Sequence, residues 1–111
     1  MFRTDIWVAG FVRRHNDIGH ICVITRRGDP IAGQIFVVVD HLNGTESLYV
    51  PAPMSARGDD TESRLFSLRL DKVEPLSVVE RIRREADFDP DLWVVSLEMR
   101  GGETGLELEL A

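Results

Sequence analysis

The sequence has little cysteine, few aromatic residues and no excess of positive charge. The single cysteine, Cys22, excludes an internal disulfide and a cysteine-rich zinc site, and its apolar neighbours favour a small buried side chain in a reducing compartment. With 13 Lys+Arg against 19 Asp+Glu, the net charge of −6 argues against a general nucleic-acid-binding surface. No apolar run approaches the roughly 18 residues of a membrane-spanning helix, so no membrane contact is expected.

Familiar catalytic and cofactor motifs are also missing from the sequence. It contains no glycine-rich phosphate loop, no serine nucleophile elbow and no His-Glu zinc motif. We therefore expect no cofactor and no metal ion, and a binding role is favoured over an enzymatic one. The amino-terminal residues lack the charged and apolar segments of a signal peptide, which predicts a cytoplasmic protein.

The composition is that of one ordinary folded domain spanning residues 1–111. Apolar residues make up 43% and charged residues 29%, and 111 residues are enough to bury a core without disulfides. The charge is uneven, because residues 1–50 carry five basic and five acidic residues, whereas residues 51–111 carry eight and fourteen. The second half therefore supplies the whole acidic excess.

Alternation of apolar residues predicts the strands, most clearly where the acidic turn at 87–91 runs into the next segment. Trp93, Val95, Leu97 and Met99 would share one face of a strand. Comparable patterns predict further strands at 20–26, 33–40, 45–50, 64–70 and 106–110.

Local signals also predict a hairpin and two helices. Asn43-Gly44 is typical of a type I′ turn between the second and third strands. A helix is predicted over 6–15 with Thr4 as its N-cap, and another is predicted to start at Pro75 or Ser77. These elements predict an α+β fold of two layers: a mostly antiparallel sheet of five or six strands, with two helices on one face.

Three segments carry a resemblance to a known family. They are Asp5-Ile6-Trp7-Val8 through Arg13, Arg26-Arg27-Gly28-Asp29 with Ala32-Gly33, and Phe88-Asp89-Pro90-Asp91-Leu92-Trp93-Val94-Val95. The pattern resembles a family of short alphaproteobacterial proteins that is known only as a domain of unknown function. The resemblance covers nearly the whole chain. It implies a small α+β fold in a bacterial cytoplasm, and it implies no activity.

The aspartates of the last segment suggest either a calcium loop or a turn. Asp87, Asp89 and Asp91 alternate as at the start of a calcium loop, and Glu98 falls at the twelfth position. Leu92 stands where that loop requires glycine, so a structural turn is favoured, in which Asp89 or Asp91 accepts backbone N–H bonds. A contact of Asp29, Asp89, Asp91 and Trp93 with a ligand or partner is the functional alternative.

Arginines offer a second candidate site. Arg13, Arg26, Arg27 and Arg84 would suit a phosphate or carboxylate if they met at one end of the sheet, because a guanidinium grips such groups with two hydrogen bonds. The alternative is that they are solvated and paired with carboxylates. If a function is hidden in the motifs, we expect it where the aspartate turn meets Arg26-Arg27-Gly28-Asp29.

The histidines give weaker signals. His15, His20 and His41 are isolated in the sequence and are predicted to be surface or turn residues, because a metal site would require them to meet a carboxylate. His20 would share a strand face with Cys22, which leaves a base-assisted cysteine nucleophile as a minor alternative.

The central strands are apolar on both faces. The sheet face that carries no helix is therefore also predicted to be covered by other residues. Cys22, Ile24, Phe36 and Val38 would be left uncovered by two helices on one face. Either a second copy of the chain or the 51–63 loop with the carboxyl-terminal tail would cover them. The favoured hypothesis is thus a small interaction or regulatory module that binds a protein partner or forms a homodimer. The alternative is a binding protein or enzyme for an anionic small molecule.

Overall fold

The computed structural model of the protein describes residues 3–53 and 64–109. These residues form two helices and six strands, in the order α1 (Thr4–Asp17), β1 (Ile21–Arg26), β2 (Ile35–Asp40), β3 (Glu46–Pro51), β4 (Leu65–Val73), α2 (Pro75–Phe88), β5 (Trp93–Glu98) and β6 (Glu107–Leu108). Most of the predicted 51–63 loop lies outside the described residues.

The strands form one mixed sheet in the order β1-β5-β2-β3-β4-β6. Three neighbouring pairs are antiparallel, whereas β2–β5 and β4–β6 are parallel. The α+β class and the mostly antiparallel sheet are therefore confirmed. The short, charged β6 lies at one edge of the described sheet and β1 at the other.

The two helices lie on opposite faces of the sheet, so the prediction of two helices on one face is wrong. Val8 and Phe11 of α1 pack with Trp93, Val95 and Leu97 on what we call face A. On the opposite face, which we call face B, α2 packs on alternate residues of the same strands. Its contributors are Val78 with Phe36, Val38, Leu48, Val50 and Val94, joined by Ile82 and Ala86.

This arrangement explains why the central strands are apolar on both sides. Cys22 and Ile24 belong to face A under α1, whereas Phe36 and Val38 belong to face B under α2. The chain therefore covers with its own helices much of the surface that was expected to need a partner. The predicted strand face of Trp93, Val95, Leu97 and Met99 is confirmed, since all four are buried in face A.

The hairpin between β2 and β3 is not the predicted type I′ turn. That turn needs positive φ at both central residues, but Asn43 is not in that region, while Leu42 has φ 60° and Gly44 has φ 91°. The loop is longer, and it closes with the N–H of His41 donating to the carbonyl of Thr45. The Asn43 side chain accepts hydrogen bonds from the backbone and hydroxyl of Thr45.

Candidate functional site

Two of the motif segments pack directly on each other through glycine. The backbone carbonyl of Asp91 occupies the space that a Cβ on Gly28 would need, and it lies 2.6 Å from the position of a Cβ on Gly33. The N–H of Asp29 donates to the same carbonyl at 3.0 Å. Gly28 and Gly33 are thus required by close backbone approach, and not by a ligand.

Hydrogen bonds complete this joint around Asp29 and Trp93. The indole Nε1 of Trp93 donates to the carbonyl of Asp29 at 2.7 Å, and the Asp29 carboxylate accepts from the N–H groups of Ile31 and Ala32. The Asp89 carboxylate accepts from the N–H of Asp91 at 3.1 Å. Asp29 and Asp89 therefore stabilise local turns, and of these two residues the structural interpretation of the sequence had named Asp89.

The same loop holds the start of α1. The N–H of Asp5 donates to the carbonyl of Pro30, and the N–H of Thr4 donates to the carbonyl of Ile31. The first N–H groups of a helix have no acceptor within the helix, so the loop supplies it. Thr4 is the first helical residue and not the N-cap, which is Arg3; its buried hydroxyl instead donates to the carbonyl of Gly33 at 2.9 Å. All three resembling segments thus meet in one structural joint.

The four candidate arginines do not share one surface. Arg13 is exposed on α1 above face A, and Arg84 is exposed on α2 above face B. Arg26 donates to the carbonyl of Pro90 at 3.0 Å, and the guanidinium of Arg27 stands over the Trp93 ring at 5.8 Å from its centroid. Only Arg26 and Arg27 reach the aspartate turn. Anion binding there remains a prediction.

The described parts of the chain contain no set of side chains arranged to bind a metal ion. In residues 3–53 and 64–109, no group of three or more His, Cys, Asp or Glu is placed to hold a metal ion. Within the same ranges, neither helix is long and apolar enough to cross a membrane.

Cys22 is buried, and burial raises the pKa of its thiol to about 11. A thiol with such a pKa is almost fully protonated near neutral pH, so Cys22 is not an activated nucleophile.

His15 and His20 lie in contact, which their spacing in the sequence does not predict. Because Gly19 turns the chain with φ 94°, the two Nδ1 atoms lie 3.0 Å apart. His15 is buried, contrary to the prediction of a surface or turn residue.

Face B carries an apolar groove beside α2. The groove has a volume of about 320 Å³; its floor includes Val38, Val94 and Ser96, and Val78, Val79 and Ile82 of α2 form one wall. Beyond it, Ile21 and Val23 project from β1 with 59% and 48% of their surface exposed. The groove exists because α2 packs mainly on β3 and β4 and reaches only as far as Val94 of β5, so that Ile21 and Val23 of β1 have no helix over them.

The two ends of this groove differ in charge. Arg26 lies at one end, and its Nε is buried with no hydrogen-bond partner among the described residues. At the other end the strand register sets Asp40 beside both Glu46 and Glu98. Burial and then the charge of Asp40 raise the pKa of Glu46, as expected for crowded carboxylates.

The edge of β1 itself is blocked. The Asn16 side chain donates to the carbonyl of Cys22 at 3.0 Å and accepts from its N–H at 2.8 Å. This amide reproduces the two hydrogen bonds that a neighbouring strand would make, so strand addition at Cys22 is disfavoured.

Taken with the fold, these segments define a class: a small α+β protein with one helix on each face of a six-stranded mixed sheet. The chain belongs to the family described as "Protein of unknown function (DUF1491)", whose model matches residues 2–107. This agrees with the family resemblance of the sequence motifs. A comparison with curated proteins found no match.

Solved structures agree with this assignment. The chain is similar to the solution structure of protein Atu0922 from A. tumefaciens, with 34% identity, 96% of this chain and 93% of that chain covered, and a TM-score of 0.84. It is also similar to the crystal structure of a DUF1491 family protein from Caulobacter crescentus CB15. There the identity is 32%, 98% of each chain is covered, and the TM-score is 0.79.

Proposed function

We propose that the protein is a non-enzymatic interaction module that binds an amphipathic helix of a partner protein in the groove of face B. The observation that carries the proposal is the half-covered face, where exposed Ile21, Val23 and Val79 border an apolar floor. Contiguous exposed apolar surface with a polar rim is typical of interaction sites.

The dimensions of the groove favour a helix as its occupant. Six strands spaced about 4.8 Å apart give a sheet some 24 Å wide, and one helix about 10 Å across covers less than half of it. α2 lies mainly over β3 and β4, and a second helix would fit beside it on the β1 side. A strand of six residues is about 20 Å long, which matches a helix of about 13 residues.

The charges of the groove favour one direction for that helix. A helix amino terminus is partly positive and suits the carboxylates of Asp40, Glu46 and Glu98. The partly negative carboxyl terminus of the helix suits the guanidinium charge of Arg26. α2 already runs in this direction, because it follows Val73, which pairs with Glu46, and ends near Pro90, which binds Arg26. The partner helix would therefore run parallel to α2.

A symmetric pair built on α2 itself is a poorer candidate. The outward face of α2 is exposed and charged, with Glu80, Arg83, Arg84 and Asp87. Its exposed apolar residues are Leu76 and Val79 at the start of the helix and Phe88 at the end, and the charged residues separate the two groups. We therefore assign the groove to a different protein, and a homodimer becomes one outcome of the test.

The test uses two stapled peptides with the same apolar stripe. One has two basic residues in its first turn, and the other has them in its last turn, so that only charge direction differs. The first peptide is expected to shift the methyl NMR signals of Ile21, Val23 and Val79 and to bind several-fold more tightly than the second.

Two variants distinguish binding in this groove from nonspecific binding to exposed apolar residues. Val23→Lys is expected to abolish peptide binding, whereas Ile6→Lys, at a similarly exposed isoleucine on α1, is expected to leave it unchanged. Failure of both peptides to bind, or equal binding to Val23→Lys, would reject the proposal. Sedimentation showing a dimer that Val23→Lys dissociates would reject a foreign partner in favour of a second copy.

A further inference from the structure

A second cavity lies at the carboxyl-terminal end of α1, away from the groove. It has a volume of about 760 Å³, within the range of small-molecule sites. Phe11 and Ile18 give it an apolar wall, and residues 102–105, which precede β6, close another side. Its polar lining comes from Arg14, His15, Asp17, His20, Glu103 and Thr104.

The hydrogen bonds of His15 and His20 determine which ring nitrogen remains free to accept a hydrogen bond from a ligand. The Nε2 of His15 lies 2.6 Å from the carbonyl of Thr104, which can only accept, so this Nε2 carries a proton. The Nδ1 of neutral His15 is then an acceptor, and the proton in its 3.0 Å contact belongs to Nδ1 of His20. Neutral His20 therefore has a bare lone pair on Nε2, the second nitrogen of a ring that lines the cavity.

The charges around the cavity favour a positive group. Asp17 and Glu103 are carboxylates, and the last turn of α1 presents the partly negative end of the helix. Arg14 is the one arginine of the lining, and its Nη1 extends back along α1 to within 3.1 Å of the position of a Cβ on Gly10, one turn back.

We infer that this cavity binds a small organic cation, an ammonium or guanidinium group attached to an apolar body. The cationic head donates to Nε2 of His20 and is neutralised by Asp17 and Glu103. The body packs against Phe11 and Ile18. The chain from His20 through His15 to the Thr104 carbonyl keeps the accepting nitrogen in place. This site is independent of the groove on face B.

Three probes with one phenyl body and different heads test the inference: phenethylamine, phenylethanol and phenylpropionate. In NMR titrations phenethylamine is expected to shift the signals of His20 and Gly105 and to bind at least about tenfold more tightly than the other two, the effect of one charge-assisted hydrogen bond.

Two conservative variants test whether the carboxylates of Glu103 and Asp17 neutralise the bound cation. Glu103→Gln and Asp17→Asn are each expected to weaken phenethylamine binding several-fold, whereas Glu80→Gln on α2 should have no effect. Asp17→Asn does not endanger the fold, since a carboxylate is unfavourable at a helix carboxyl terminus. Equal affinity for the three probes, tighter binding of phenylpropionate, or shifts confined to Ile21 and Val23 would overturn the inference.

Discussion

The backbone carbonyl of Asp91 stands where a side chain on Gly28 would have to be. This contact joins the start of β5 to the loop after β1, and the same carbonyl accepts the N–H of Asp29. The most specific sequence motifs of the chain therefore build a joint between elements. The exposed groove shares Arg26 and Val94 with these motif segments, and the histidine cavity shares Phe11 with the first of them.

Gly28→Ala should destabilise the protein strongly. The added methyl group meets backbone atoms of Asp91 and Leu92, which cannot move as a side chain can, and we expect a loss of about 2–4 kcal/mol in the free energy of unfolding. Urea denaturation measures it. Gly101→Ala is the matched control, because nothing lies within 4 Å of its Cβ position. Similar stability of the two variants would contradict the role assigned to the joint.

Cys22 should make the fold sensitive to alkaline pH. Burial raises the pKa of its thiol from 9.0 to about 11, so the folded state favours the protonated form. The contribution is complete below pH 9.0 and is lost between these values, because the unfolded chain releases its proton first. Unfolding curves should show that the stability advantage over Cys22→Ala shrinks as the pH rises through this range. A constant advantage would exclude thiol titration as the cause.

Glu46→Gln should stabilise the protein at neutral pH. Burial and then Asp40 raise the pKa of Glu46, so its ionised form is disfavoured in the folded state. Relief of the cross-strand repulsion should add about 0.2–1 kcal/mol to the free energy of unfolding. The gain should vanish in acid, where Glu46 is protonated in both states. A gain of equal size at both pH values would point to a cause other than charge.

Asn16→Ala should expose the edge of β1. Removal of two hydrogen bonds is expected to cost about 1–3 kcal/mol, and the freed N–H and carbonyl of Cys22 should increase association between chains. Light scattering during incubation measures the association. Asn43→Ala also loses two side-chain hydrogen bonds, but in the β2–β3 loop, so it should lose stability without associating. Equal association of both variants would show that instability alone is responsible.

Local sequence patterns correctly predicted the features that depend on residues close in sequence, such as which residues share a strand face. The face of Trp93, Val95 and Leu97 followed from the period of two, and both sides of Phe36–Val38 were correctly expected to need cover. Periodicity does not say which helix covers which face, and this is why the layer prediction failed.

Contacts between segments that are distant in sequence could not be predicted from local sequence patterns. The need for Gly28 depends on Asp91, and the state of the His15–His20 pair depends on Thr104, 89 residues after His15. No spacing rule connects such positions. The uncovered β1 side of face B likewise becomes visible only when α2 has been placed over β3 and β4.

The strand order also has a consequence for synthesis of the chain. In the described sheet β1 has β5 as its neighbour, and β5 lies between β1 and β2. On the ribosome, α1 and β1 therefore emerge before the other described elements but cannot join the sheet until residues 93–98 have been released. The first of the described strands to be made is thus among the last to join the sheet.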